Sequence, residues 1–208
     1  EEHWALMQGP RVDLVALPES VFPVPLGFVP EAALQAFRTF AHEHASGLIF
    51  GVFIEEPAMA YYNSAVGLTP DAPAWQRYSK QHLVPFGEFI PRGFRWFVDL
   101  MQMPIGDQER GAADQTPMAI AGQRIAVNIC YEDLFGHVIR RAWSDPATAP
   151  TMMLNLSNLA WFEDSIALPQ HLQISRMRTL ETQHPMLRAT NTGATAIVDA
   201  WGRVVAQL

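Results

Sequence analysis

Short apolar runs alternate along this chain with stretches of helical spacing. Residues 12–17, rich in Val and Leu and ended by Pro18 and Glu19, predict a buried strand. Pro30 then opens a helix, with Glu31 in its first turn, Ala33, Phe37, Phe40 and Ala41 on one face and Gly47 as the expected stop. Strands are expected at 48–54 and 63–68, residues 78–91 read as extended chain with a loop, and 93–103 read as a helix. In 125–130, Ile125, Val127 and Ile129 alternate with Ala126, Asn128 and Cys130, the two-residue period of a strand whose last residue is the cysteine. Asp133 is placed to cap a helix running toward Trp143. Residues 151–155 form a further buried strand, and Pro169 starts a helix carrying Leu172, Met177 and Leu180. Short strands at 187–190, 195–199 and 204–206 close the chain, with Gly202 in the last turn. The order predicts a layered α-β domain and not a simple doubly wound alternation.

Composition narrows the class of protein. The 208 residues, 49% of them hydrophobic, suffice for one domain with a buried core. Fourteen Lys and Arg against 21 Asp and Glu give a net charge of −7, the wrong sign for gripping a phosphate backbone, so no nucleic-acid partner is expected. A single cysteine forms no internal disulfide and supplies no paired thiolates for zinc. His171 has no second His or Cys at ligand spacing, so neither a metal nor a cofactor is expected, and His171 reads as a hydrogen-bonding residue. No apolar run approaches the roughly 20 residues that cross a bilayer. The chain opens on Glu-Glu-His and stops directly after a strand-like stretch, which reads as a piece excised from something longer.

Reactive residues fall at the ends of the predicted strands. Cys130 stands where a strand meets a helix, a turn that lifts a side chain above the sheet edge and offers N–H donors and a lowered thiol pKa. Taken alone, it is better explained as a small buried hydrophobe. Glu19 closes a run apolar enough to be buried, and an ionisable group there is costly unless paired. Lys80 is followed by Val84, Pro85 and Phe86, which argue for a position near the core against the surface default of an isolated lysine. Together the three make a workable acyl-transfer set. The carboxylate takes the thiol proton, the thiolate attacks a carbonyl, and the ammonium holds the oxyanion.

Three segments carry a resemblance: Leu17-Pro18-Glu19, residues 80–91 (Lys-Gln-His-Leu-Val-Pro-Phe-Gly-Glu-Phe-Ile-Pro), and Ile129-Cys130-Tyr131-Glu132. They resemble the nitrilase-like Glu-Lys-Cys superfamily of carbon-nitrogen hydrolases, and within it the bacterial apolipoprotein N-acyltransferases. Ser157-Asn158-Leu159-Ala160-Trp161-Phe162, Gln170-His171 and Arg188-Ala189-Thr190-Asn191-Thr192-Gly193 extend the likeness over nearly the whole chain. Leu159 and Glu163 depart from it, since the family usually has Asp and Gly around the Ala-Trp-Phe.

The resemblance implies a four-layer α-β-β-α sandwich and a ping-pong acyl transfer. Cys130 would take a fatty acyl chain from a phospholipid as a thioester and pass it to the α-amino group of the lipid-modified N-terminal cysteine of an apolipoprotein. Glu19 would be the general base, Lys80 would stabilise the tetrahedral intermediates, and Glu88 would fix the Lys80 ammonium, unless it is a loop carboxylate capping backbone N–H groups. Tyr131 would shape the pocket or donate its backbone N–H, and Glu132 either supports the nucleophile or is an ordinary first-turn acid. Asn155, Ser157, Asn158 and Phe86 are candidate pocket residues, with satisfied polar groups at a strand end as the plainer account of the first three.

By the same resemblance, residues 1–208 form a single catalytic domain without its first strand and without the membrane helices that flank it in the parent. That domain would lie on the periplasmic side of a bacterial inner membrane, against the membrane surface. The apolar stretches 21–29 and 94–103 either grip acyl chains or dip into a membrane surface, or else pack on the core as a proline-rich turn and a helix face. A nitrilase or amidase, with water replacing the amine, and a catalytically silent binding domain are the competing readings.

Overall fold

A computed structural model describes residues 11–93 and 108–208 of the protein. The predicted helix and apolar stretch beyond Gly93, and the tail that precedes the first strand, lie outside the described residues.

Two β-sheets stack face to face. The first has the order β1 (Leu14–Ala16), β3 (Gly47–Glu56), β4 (Ala60–Thr69), β5 (Ala72–Ser79), with β2 (Phe22–Pro25) also paired to β3. Both β1 and β2 run parallel to β3, Val15 opposite Leu48 and Phe22 opposite Val52, so they occupy successive stretches of one edge. The second sheet runs β11 (Val204–Gln207), β10 (Ala196–Val198), β9 (Met186–Thr190), β8 (Met152–Ser157), β7 (Gln123–Ile129), β6 (Met118–Ile120). Its central trio β7, β8 and β9 is parallel, which gathers the carboxyl ends of three strands at one rim.

Alternation along the strands dictates the layering. Ile49, Ala65 and Tyr78 of the first sheet meet Ile125, Val127, Ile129, Leu154 and Leu156 of the second between the sheets. Leu48, Phe50, Val52 and Val66 point the other way, onto Phe37, Phe40 and Ala41 of the helix Glu31–His44. On the far face, Ala126, Met153 and Met186 pack with Ile139 and Trp143. The result is the predicted layered sandwich of two sheets with helices outside.

The differences from expectation have local causes. The first helix stops at Ala45, which takes the left-handed conformation at φ 47°, and not at Gly47. Gly47 instead begins β3, where a Cβ would collide with Ile120 of the opposite sheet. The helix expected from Asp133 to Trp143 is broken into the 3-10 turn Cys130–Leu134, one α-turn at Gly136–Ile139 and the 3-10 turn Arg140–Trp143. Asp133 does not cap it, because its carboxylate is engaged by buried side chains described below. In the helix Ala167–Thr182 the inward face is polar, His171, Ser175 and Thr179, while Met177 and Leu180 are exposed.

Candidate active site

Glu19 sits in the break between β1 and β2. The chain turns there over Gly51 of β3, whose N–H donates to the Pro18 carbonyl and whose carbonyl accepts from Val21 N–H, each at 3.0 Å. A Cβ on Gly51 would stand 2.6 Å from Glu19 Cα, so only glycine lets the turn lie this close. The Glu19 carboxylate is buried and fully engaged. Its Oε1 accepts from Asn63 Nδ2 at 2.7 Å and its Oε2 from the Asn158 N–H at 2.8 Å.

Lys80 follows β5 and is 1% exposed. Its backbone is clamped, the N–H donating to Asn63 carbonyl and the carbonyl accepting from Gly111 N–H, each at 2.8 Å. The ammonium lies 2.7 Å from Glu88 Oε1 and 3.4 Å from Glu19 Oε1. Asn63 Nδ2 also donates to Glu88 Oε1 at 3.0 Å, so one amide and one ammonium bridge both carboxylates. Glu88 Oε2 accepts from the Val84 N–H at 2.8 Å, which pins the intervening loop. Burial alone would depress the Lys80 pKa, but the Glu19 and Glu88 carboxylates outweigh it and hold the ammonium above its ordinary range.

Cys130 follows the last residue of β7 instead of ending that strand, and opens the 3-10 turn at φ 51°. A left-handed non-glycine residue costs on the order of 1–3 kcal/mol and persists only where its surroundings hold it. Here the Cys130 carbonyl accepts from Asn155 Nδ2 and faces His171 Nε2, both at 3.2 Å. The expectation that a helix N-terminus lowers the thiol pKa is overturned. Burial and the Glu19 charge push it up to about 12 against the opposing pull of Lys80. A short 3-10 turn offers little dipole, and a thiolate in this enclosure loses its hydration.

All four groups, Glu19, Lys80, Glu88 and Cys130, line one cavity of about 590 Å³. Tyr131, Phe86 and Asn158 line it as well. Asn155 and Ser157 do not: they are wholly buried below it, where Ser157 Oγ donates to Asn155 Oδ1 and Asn155 Nδ2 to Asn128 Oδ1. Glu132 also points away from the cavity. It accepts from the N–H groups of Ile129 (2.7 Å), Gln81 (2.6 Å) and His82 (3.1 Å) and from Tyr78 hydroxyl (2.9 Å), and so ties the Cys130 turn to the Lys80 segment. Burial raises its carboxyl pKa, and the three N–H donors oppose that rise.

The cavity mouth is apolar, with Phe86, Leu134, Trp161 and Phe162 exposed around it and Trp161 at 85%. Of the stretch 21–29, Val21, Phe22, Leu26 and Val29 pack on the helix side of the first sheet, and no residue of 21–29 lines the cavity. Leu159 is buried in the cavity wall. Glu163 takes φ 47° and ψ −151°, a conformation glycine adopts without strain. From the sequence, Asn63 has no expected role, Asp133 is expected only as a helix cap, and Arg188 falls only in a family-like segment. An asparagine at the start of an apolar strand is the signal that marks Asn63. Among the described residues, no group of three or more His, Cys, Asp or Glu is arranged to hold a metal ion.

A thiol, two carboxylates and a buried ammonium around one cavity can hold an acyl group, move a proton and stabilise an oxyanion. The sequence matches the carbon-nitrogen hydrolase family over residues 2–208. It is 53% identical over 195 residues to an apolipoprotein N-acyltransferase of Ralstonia nicotianae, covering 94% of this chain and 37% of that protein. To the apolipoprotein N-acyltransferase of Verminephrobacter eiseniae it is 49% identical over 203 residues, covering 95% and 37%. This chain therefore spans little more than a third of the relatives it matches. The crystal structure of a carbon-nitrogen hydrolase from Helicobacter pylori has the same fold, with a TM-score of 0.73 at 18% identity, covering all of this chain and 76% of that one.

Proposed function

Because this chain belongs to the carbon-nitrogen hydrolase family, we propose that it is the catalytic domain of an apolipoprotein N-acyltransferase working through Cys130, Glu19 and Lys80. The observation that carries this reading is the shared cavity, with a lysine held between two carboxylates and Cys130 lining the same space. As the Cys130 sulfur attacks the ester carbonyl of a phospholipid, its proton passes to Glu19. The negative charge that develops on the carbonyl oxygen is met by Lys80, whose own position Glu88 fixes. The C–O bond then breaks, the lysophospholipid oxygen leaves with the proton from Glu19, and a fatty acyl thioester remains. In the second half the α-amino group of a diacylglyceryl-modified N-terminal cysteine attacks the thioester and gives its proton by way of Glu19 to the departing sulfur.

The apolar mouth suits a fatty chain presented from a membrane surface, whereas a small-amide hydrolase needs a small closed pocket. This supports a place against a membrane surface, and the periplasmic side of a bacterial inner membrane is what the resemblance of the sequence implies.

Intact-mass measurement of the full-length protein incubated with phospholipid vesicles tests the reading. A fatty acyl adduct that hydroxylamine removes, that Cys130→Ala lacks and that a diacylglyceryl peptide with a free amine clears is the expected result. A folded protein that forms no adduct would sink the proposal, and loss of the adduct to water at the same rate without the peptide would make the protein a hydrolase.

A further inference from the structure

Beneath the Cys130 turn lies a buried cluster to which the proposed acyl-transfer steps give no role, although one member, His171, also lines the cavity wall. His171 and Ser175 reach in from the helix Ala167–Thr182, Arg188 from β9 and Asp133 from the 3-10 turn, and none is more than 7% exposed. Arg188 Nη1 lies 3.3 Å from Asp133 Oδ2 and also donates to Ser175 Oγ. Its Nη2 stands 2.8 Å from His171 Nδ1. A guanidinium has only donors, so Nδ1 is the acceptor and the ring proton sits on Nε2. That proton is donated to the Cys130 carbonyl at 3.2 Å, while Asp133 Oδ1, also 3.2 Å from Nε2, receives no hydrogen bond.

The Cys130 carbonyl is thus held by an imidazole and an amide at the residue whose φ of 51° needs outside support. The cluster meets Cys130 at its backbone carbonyl, through His171 Nε2, so the contact acts on the position of the turn. We propose that His171, oriented by Arg188, is a positioning residue for Cys130: its Nε2–H holds the Cys130 carbonyl and keeps the left-handed turn that aims the sulfur at the acyl carbonyl. This inference rests on the reading of Cys130 as nucleophile.

The test compares the full-length wild type, His171→Leu and His171→Gln in phospholipid vesicles. Three quantities are followed: the rate of thioester formation, the lipid concentration giving half the maximal rate, and alkylation of Cys130 by iodoacetamide at one pH. Leucine removes both the donor and the acceptor, and misplacement of a reacting group by about 1 Å can cost roughly 10²-fold, so thioester formation should slow by about that factor. Because His171 touches the cavity wall, the half-saturating lipid concentration should move far less than the rate, and alkylation should hold within a few-fold, because a small reagent needs no alignment with Glu19 and Lys80. Glutamine, which keeps a donor and an acceptor, should restore most of the rate.

Acylation by His171→Leu near the wild-type rate, an equal loss in alkylation, or a His171→Gln as slow as His171→Leu would each overturn the proposal. Should His171→Leu not melt cooperatively, Arg188→Lys takes its place, since lysine keeps the charge beside Asp133 but loses the fork that reaches Nδ1. It should show the same slow acylation with unchanged alkylation, and a wild-type rate overturns the proposal. A wild type that forms no thioester removes the nucleophile reading itself, and this inference with it.

Discussion

Lys80 is held more closely by Glu88 than by Glu19, at 2.7 Å against 3.4 Å. Glu88 thereby fixes the ammonium and spares Glu19 from a tight ion pair that would compete with its proposed role as base. Glu88→Gln should let Lys80 settle on Glu19 and slow thioester formation by about 10²-fold through misplacement of both groups. It should also lower the unfolding free energy by about 1.5–3 kcal/mol, the range for a hydrogen bond to a charged group. Glu19→Gln should slow the same step by about 10²–10⁴-fold, as expected for loss of a general base. Mass-spectrometric time courses and urea unfolding of both variants measure these effects.

Much of this arrangement was legible in the sequence where local rules govern it. The two-residue alternation of Ile125, Val127 and Ile129 gave β7 and its core face, and the end of an apolar run gave Glu19 its buried place. What stayed hidden depends on partners distant in the chain. Asn63 lies 44 residues from Glu19 and Arg188 55 from Asp133, and no local pattern couples them. Burial also reversed one expectation, because the Cys130 thiol pKa depends on the enclosure around it, and the position of Cys130 at a strand end did not show how closed that enclosure is.

Gly51 makes the position of Glu19 testable at a distance from the chemistry. In Gly51→Ala the new methyl meets Glu19 Cα and Ser20 N at 2.6 Å, both backbone atoms that cannot swing aside, so the turn must lift off β3. Overpacking of this kind typically costs about 1–3 kcal/mol. The retreat of Glu19 should slow thioester formation by roughly 10²-fold. Gly27→Ala, where nothing lies within 4 Å, is the control and should change neither quantity. Paired melting and acylation measurements decide it, and a Gly51→Ala enzyme with full activity would show that the turn does not position Glu19.

The exposed mouth residues should matter for lipid and not for the thiol. Trp161 and Phe162 are both exposed at the mouth, and burying such a side chain against acyl chains is worth about 1.5–3 kcal/mol. Each change to serine should therefore weaken the apparent affinity for phospholipid vesicles by roughly tenfold or more. Alkylation of Cys130 by iodoacetamide should be unaffected, and parallel titrations separate the two effects.

The raised Cys130 thiol makes a prediction in both stability and reactivity. Its pKa stands at about 12 in the folded protein against an ordinary 9.0. Below pH 9 both the folded and the unfolded chain keep the proton, so the stabilisation is fully present there. Above it the unfolded chain sheds the proton first, and stability must fall as pH rises toward 12. Cys130→Ser does not titrate in this range, so the difference between the two proteins isolates the thiol. Between about pH 9 and 11 wild type should lose stability relative to Cys130→Ser with a slope approaching about 1.4 kcal/mol per pH unit. Iodoacetamide, which needs the thiolate, should react roughly tenfold faster per pH unit without a plateau below pH 10. Acylation by phospholipid should nevertheless proceed at neutral pH, because in the proposed mechanism Glu19 takes the proton during attack. An alkylation plateau near pH 8 would mean that the thiol ionises freely in the resting site and that Glu19 is not needed to remove its proton.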